Sequence, residues 1–206
     1  MGLVGLNRSA KLTGKYGVKV VPSFYIKDEK EAASIAKNLE YPLVLKVYAP
    51  GFMHKHAASL VRTNISNEGQ LGEQYKLLMT TIKKYYIKKC EMVLQRQIQG
   101  TEYIFGAKQD ETFGEIVLFG LGGVNAELLK KVAIRISPLS RSMADEMIRE
   151  VNPQIEKDTS RIFTMLSELL LKVSKLAEKE HIAELDLNPV IVNAAGLHIV
   201  DVRIIK

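Results

Sequence analysis

Apolar and polar positions change period several times along the chain, and each change marks an element. Val18 to Val21 is a short apolar run ended by Pro22 and predicts a strand. From Glu29 to Leu39, Ala32, Ile35, Ala36 and Leu39 recur on one helical face. Pro42 to Tyr48 is a nearly all-apolar strand with a single charge, Lys46, in its middle. Between Gly69 and about Tyr86, helical spacing returns with Leu71, Tyr75, Leu78, Met79 and Ile82. Three strand candidates follow, Glu91 to Gln97, Glu102 to Gln109 and Glu115 to Phe119, punctuated by Gly100 and the Asp110 to Gly114 turn. Asn125 to Lys130 reads as helical. Arg161 to Lys179 carries the longest apolar stripe, Ile162, Met165, Leu166, Leu169, Val173 and Leu176. The chain closes on a hairpin, Glu184 to Val192 and Leu197 to Ile205, turning through Asn193-Ala-Ala-Gly196.

Strands interleaved with helices over the whole length predict an α/β or α+β fold. The extended segment near Gln95 to Gly100 is the expected junction between two subdomains, residues 1–97 and 98–206. At 206 residues and 47% hydrophobic content the chain has ample material for a core, which excludes a disordered tail. No apolar run approaches the roughly 20 residues of a membrane span, so no membrane is expected among its partners. One cysteine, Cys90, excludes both a disulfide scaffold and a thiolate metal site, and the expected compartment is the cytoplasm. The formal charge of +6 is dispersed. Its densest cluster, Lys83, Lys84, Lys88 and Lys89 around Tyr85 and Tyr86, reads as the wet end of an amphipathic helix in preference to a nucleic-acid surface.

The C-terminal hairpin carries the most specific chemistry. A tight turn centred on Ala194 and Ala195 places Asn188 opposite Asp201, and Asp186 joins the same face at strand period two. Oxygen donors converging there suit Mg²⁺ when phosphates complete its shell. A solvated sheet face has the same composition, and a one-residue slip would separate the pair. Lys46, flanked by Leu45 and Val47, must snorkel to water or meet an anion. His54 follows in Pro50-Gly-Phe-Met-His-Lys-His56, where an imidazole can accept a phosphoryl group or be a plain surface residue. Phe119-Gly-Leu-Gly-Gly123 is a glycine turn after a strand, of the kind that lets backbone N–H groups approach phosphate.

In this order, Tyr41-Pro-Leu-Val-Leu-Lys46, His54-Lys55, Gly100-Thr-Glu102, Phe113-Gly114, Leu118-Phe-Gly-Leu-Gly-Gly123, Ala133-Ile-Arg-Ile-Ser-Pro-Leu139, Glu184-Leu-Asp-Leu-Asn-Pro189 and Val200-Asp-Val-Arg203 resemble one family. It is the β subunit of the ADP-forming acetyl-CoA (acyl-CoA) synthetases, relatives of the succinyl-CoA synthetase β subunit, and the resemblance runs from about Tyr16 to the end.

The resemblance implies an ATP-grasp fold, two subdomains clasping ATP or ADP. It implies phosphate contacts from Lys46 and from the Gly122-Gly123 turn, and an adenine edge read by the backbone of Gln95, Arg96 and Gln97. It further implies Glu102 in the nucleotide site, Asn188 and Asp201 as Mg²⁺ ligands, and His54 as a phosphoryl carrier. The implied reaction, acetyl-CoA, ADP and phosphate to acetate, ATP and CoA, is reversible. It needs an α subunit with a CoA-binding domain and a phosphohistidine, in an α2β2 assembly. One departure stands out: after Lys55 the family has Ser-Asp-Val-Gly-Gly-Val, whereas here His56-Ala-Ala-Ser-Leu-Val61 puts side chains where two glycines lie. The alternative is thus a divergent, non-catalytic ATP-grasp subunit that binds an α-like partner structurally.

Overall fold

The structure, a computed structural model, describes residues 2–49, 60–123, 131–155 and 160–206. These divide into two compact units, Pro22–Gln97 and Met1–Val21 joined with Ile98–Lys206. The first segment carries α1 (Leu6–Gly14). The unit Pro22–Gln97 then runs β1 (Phe24–Ile26), α2 (Glu29–Ala36), β2 (Leu43–Tyr48), β3 (Val61–Ile65), α3 (Glu68–Lys84) and β4 (Glu91–Arg96). The remainder contains β5 (Thr101–Asp110), β6 (Gly114–Leu121), β7 (Val132–Ile136), α4 (Arg141–Val151), α5 (Ser160–Glu180), β8 (Glu184–Asn193), β9 (Gly196–Ile199) and β10 (Arg203–Ile205).

Pro22–Gln97 is an antiparallel sheet in the order β1-β4-β2-β3 with α2 and α3 supplying its helical layer. Leu43, Leu45 and Val47 point into a core with Ala32, Ala36, Leu71, Leu78 and Leu94. Both helices start on side-chain caps. Asp28 accepts the Glu31 N–H at 2.8 Å and Asn67 accepts the Gln70 N–H at 2.9 Å. In return Glu31 and Gln70 each accept an N–H from the residue before the cap, Lys27 and Ser66, at 2.8 Å. Each cap contributes about 1 kcal/mol. Lys83 and Lys84 occupy the last turn of α3, where cations complement the helix dipole, while Lys88 and Lys89 lie beyond its end.

In the other unit the strand order is β10-β8-β5-β6-β7, with β9 also pairing β8. Helix α5 packs on β5, β6 and β9, and α4 on β6, β7 and α5. On that inner face Tyr103 stacks on Phe119 at 5.5 Å between ring centroids, and Phe105 meets Phe119 edge-on at 4.9 Å. The buried Tyr103 hydroxyl accepts a hydrogen bond from Asn152 Nδ2 at 2.9 Å.

Three expectations are corrected. Residues 1–21 do not belong with 22–97: Leu3 bridges Ile205, Val4 donates to the Ile204 carbonyl at 2.9 Å, Val21 donates to the Ile199 carbonyl at 2.7 Å, and Tyr16 donates to Glu180 at 3.0 Å. These are long-range contacts, three between backbone groups and one between side chains, that no local pattern announces. The expected strand Val18 to Val21 is a single bridge, Val20 to Ile199, and the strand proper begins at Phe24, beyond the proline that lacks a donor. The second arm of the hairpin is two strands, β9 and β10, interrupted over residues 200–202. The expected helix Asn125 to Lys130 lies outside the described residues.

Candidate functional site

Strand β8 organises the polar side chains. On one edge, β9 and β10 pair with it in a single uninterrupted register: Asn193↔Gly196 through Val190↔Ile199, then Asp186↔Arg203 through Glu184↔Ile205. The Val200 N–H donates to the Pro189 carbonyl at 3.3 Å, carrying that register across the gap. Asn188 and Asp201 therefore lie opposite each other inside the interruption, as the turn geometry predicts. On its other edge β8 pairs β5, and there the register slips: Tyr103↔Val190 but Phe105↔Leu187, so Asn188 and Pro189 together oppose Ile104. This is a β-bulge at the residue that has no N–H to give the ladder.

Burial shows which way these side chains face. Leu185, Leu187, Val202 and Ile204 are all 3% exposed or less and form the inner face. Asp186, Asp201 and Arg203 are half-exposed and Asn188 is exposed, so the four share the outer face. Asp201 Oδ1 accepts the Val202 N–H at 2.8 Å, which orients the carboxylate. One amide oxygen and one carboxylate, both hard donors, face each other. Among the described residues no group of three His, Cys, Asp or Glu converges on a point. A cation held here takes the rest of its shell from phosphate and water, as Mg²⁺ does.

Glu102 and the glycine turn come together on the same sheet. The Gly122 N–H donates to the Glu102 carbonyl at 2.7 Å. A Cβ on Gly122 would lie 3.0 Å from the Glu102 carbonyl carbon, and one on Gly123 3.2 Å from Glu102 Oε2. Gly123 also has a φ of +75°, open to glycine at no steric cost. The two glycines thus seat the Glu102 carboxylate against a turn of exposed backbone.

Within Pro22–Gln97, Lys46 is 7% exposed on the sheet face opposite the helices, with Val93 and Val61 as its cross-strand partners. Gln95, 1% exposed, shares that face and donates through Nε2 to Ser23 Oγ at 3.1 Å. Arg96 pairs with Glu40 at 2.7 Å, both exposed. The Gln97 amide is tied to Asn64: Gln97 Oε1 accepts the Asn64 N–H at 2.6 Å and Gln97 Nε2 donates to Asn64 Oδ1 at 2.9 Å. Asn64 sits at a bulge of β3 with φ of +59°, so the Gln97 side chain satisfies a backbone group that the ladder cannot. The ladder between β1 and β4 ends at Phe24↔Leu94, just before Gln95. The Asn64–Gln97 clamp and the outward Arg203 were not anticipated from sequence; asparagine's tolerance of the left-handed region was the one available signal for the former. His54 lies outside the described residues.

A family described as the ATP-grasp domain matches residues 3–205. Acetate–CoA ligase (ADP-forming) II of Archaeoglobus fulgidus is 35% identical over 97% of this chain, which spans only 30% of that protein's length. The subunit beta of acetate–CoA ligase (ADP-forming) I from Pyrococcus furiosus is 33% identical, over 92% of this chain and 86% of the relative. Among solved structures, the dinucleotide-forming acetyl-coenzyme A synthetase 1 of Candidatus Korarchaeum cryptofilum, in complex with coenzyme A, Ca-AMPCP and HgCl+, superposes with a TM-score of 0.85 at 31% identity, covering 99% of this chain and 93% of that one. Two mixed α/β units, a hairpin with opposed amide and carboxylate, and a family match over nearly the whole length lead to one conclusion: the chain belongs to the ATP-grasp family.

Proposed function

We propose that this chain is the nucleotide-binding β component of an ADP-forming acyl-CoA synthetase, working with an α subunit that carries the CoA-binding domain and a phosphohistidine, as an α2β2 assembly in the cytoplasm. The observation that carries the reading is the opposition of Asn188 and Asp201 on the outer face of β8 and its partner segment. The relatives' names and the nucleotide analogue bound with a divalent cation in the Korarchaeum protein support it.

On this reading Asn188 and Asp201 hold Mg²⁺, which when bound draws off charge from the polyphosphate. Lys46 presents its ammonium to phosphate oxygens from a nearly dry strand, where a low dielectric strengthens the attraction. The backbone of Gln95, Arg96 and Gln97 meets the adenine edge. Glu102 accepts hydrogen bonds from the nucleoside, held in place by Gly122 and Gly123. His54 accepts the phosphoryl group brought by the α subunit and passes it to ADP, while fixed donors offset the developing charge.

Titration calorimetry with Mg-ADP tests this on the full chain. Saturable binding is expected, lost in the Asn188→Ala, Asp201→Ala double variant; native protein that fails to bind at millimolar Mg-ADP refutes the reading. Acyl-CoA synthesis is expected only after an α subunit is added, and His54→Ala is expected to keep nucleotide binding while losing turnover.

A second reading, an architectural subunit without catalysis, is favoured by one observation. Leu60, where the family has glycine, is 4% exposed in the core of Pro22–Gln97, one residue before Val61, the cross-strand partner of Lys46. Equal activity of native and double-variant assemblies would select it.

A further inference from the structure

The outer face of the larger sheet is ordered in rows that the registers fix. One row reads Asp201, Asn188 and Ile104; the next, two residues further from the hairpin turn, reads Arg203, Asp186, Gly106 and Leu118. Glu102 lies on the other side of the first row, toward Gly100. Successive rows are separated by about 7 Å at the usual strand rise. Along β5 the order is therefore Glu102, then the level of the Asn188 and Asp201 pair, then the level of Arg203.

Arg203 differs from its neighbours on this face. It stands directly opposite Asp186, yet the two make no ion pair, and among the described residues its guanidinium takes part in no hydrogen bond or salt bridge. It is half-exposed, while Val202 and Ile204 on either side are buried and anchor its backbone. Across from it on β5 is Gly106, which adds no side chain to that row. The arrangement is a half-exposed guanidinium one row beyond an oxygen pair, beside Asp186, with glycine at the β5 position of its row. Arginine is the side chain best suited to a tetrahedral oxyanion, because its fork donates two parallel hydrogen bonds.

We propose that Arg203 is the contact for the terminal, transferable phosphoryl group of the nucleotide, distinct from the side chains that hold its first two phosphates. The proposal rests on the reading of Asn188 and Asp201 as the Mg²⁺ pair, with Glu102 at the nucleoside end. The polyphosphate then runs along the sheet from Glu102 past the pair, and its outermost phosphate arrives at the level of Arg203. In that position the guanidinium stabilises the group that moves and contributes little to a diphosphate.

The test compares Mg-ADP with Mg-AMPPCP, the non-hydrolysable triphosphate, on the full native chain and on Arg203→Met and Arg203→Lys, by titration calorimetry with thermal unfolding recorded in parallel. Arg203→Met is expected to weaken Mg-AMPPCP by about tenfold or more, the scale of a lost charge-assisted bidentate contact, and Mg-ADP by less than about threefold. Arg203→Lys should recover part of the triphosphate affinity, because the charge remains and the fork is lost. Equal loss of both nucleotides, or no loss of either, overturns the assignment of Arg203 while leaving the Mg²⁺ pair intact. Native chain that binds neither nucleotide removes the underlying reading, and this assignment with it.

Discussion

Gly100 gives the sharpest test of how the sheet beneath the site is assembled. A Cβ at this position would lie 2.2 Å from the Val192 carbonyl oxygen and 2.8 Å from its carbonyl carbon. Ordinary contact begins at 3.4 Å, so Gly100→Ala leaves a deficit of about 1.2 Å. The obstructing atoms are backbone, and Val192 is the cross-strand partner of Thr101, so no side chain can rotate away. The start of β5 and the end of β8 must part. Overpacking of this kind costs about 1–3 kcal/mol, and the backbone obstacle argues for the upper end. For a chain of this size about 3 kcal/mol corresponds to a fall in Tm of about 6–12 °C. Gly114→Ala is the control: its φ is +74° but nothing lies within 4 Å of the added carbon. Only the backbone cost of about 1 kcal/mol applies there. Circular dichroism melts of the two variants should rank Gly100→Ala well below Gly114→Ala. Equal melting points, or a larger loss at Gly114, would show that close approach at Gly100 is not what the sheet depends on.

Three further outcomes are expected. Gln97→Ala removes both hydrogen bonds to Asn64 and strands its N–H, at about 1–2 kcal/mol, read as a lower urea midpoint with unchanged slope; an unmoved midpoint refutes the clamp. Leu187→Ala empties a fully buried position on the inner face of β8, at about 2–5 kcal/mol in the same assay, and a loss below 1 kcal/mol would place that face outside the core. Hydrogen bonds from Lys206 and Tyr16 hold the Glu180 carboxyl below its usual range. A depressed folded value means that its stabilising effect is present above the unfolded value of about 4.3 and is lost as pH falls through the folded one. Glu180→Gln should therefore flatten the acid limb of the stability profile, and an unchanged limb contradicts the linkage.

The elements that sequence pattern reads well here are those whose burial is periodic. Helix α5 was legible because Ile162, Leu166, Leu169, Val173 and Leu176 repeat at helical spacing, and all five are buried. The opposition of Asn188 and Asp201 was legible because a hairpin register follows from its turn alone, and residues 193 and 196 do pair. Strand β3 escaped because Val61-Arg-Thr-Asn-Ile65 is an edge segment with only Ile65 fully buried and so shows no apolar alternation. Helix α4 escaped although Ala144, Met147, Ile148 and Val151 do follow the helical period, within a run otherwise rich in charge. The docking of residues 1–21 beside the C-terminus is settled by backbone hydrogen bonds across the length of the chain, and such pairings leave no mark on a local window.

The bulge explains why the site residues face outward at all. Strand β8 must bury Leu185 and Leu187 against the helical layer and, further on, Val190, which pairs with the inward Tyr103. Leu187 and Val190 are three residues apart, an odd step that strict strand alternation cannot place on one face. One extra residue between them resolves the conflict, and Pro189 is where it costs least, since proline has no N–H to withdraw from the ladder with β5. Had the extra residue fallen before Leu187, parity from that point would invert and Asn188 would point into the aliphatic layer. The opposite edge of β8 keeps one register through β9 and β10, and that partner segment makes the same odd step, from buried Ile199 to buried Val202, inside its interruption, so Asp201 comes to the outer face together with Asn188. The amide, the carboxylate and the guanidinium thus share a surface because a proline stands where two incompatible stretches of inner-face pattern meet.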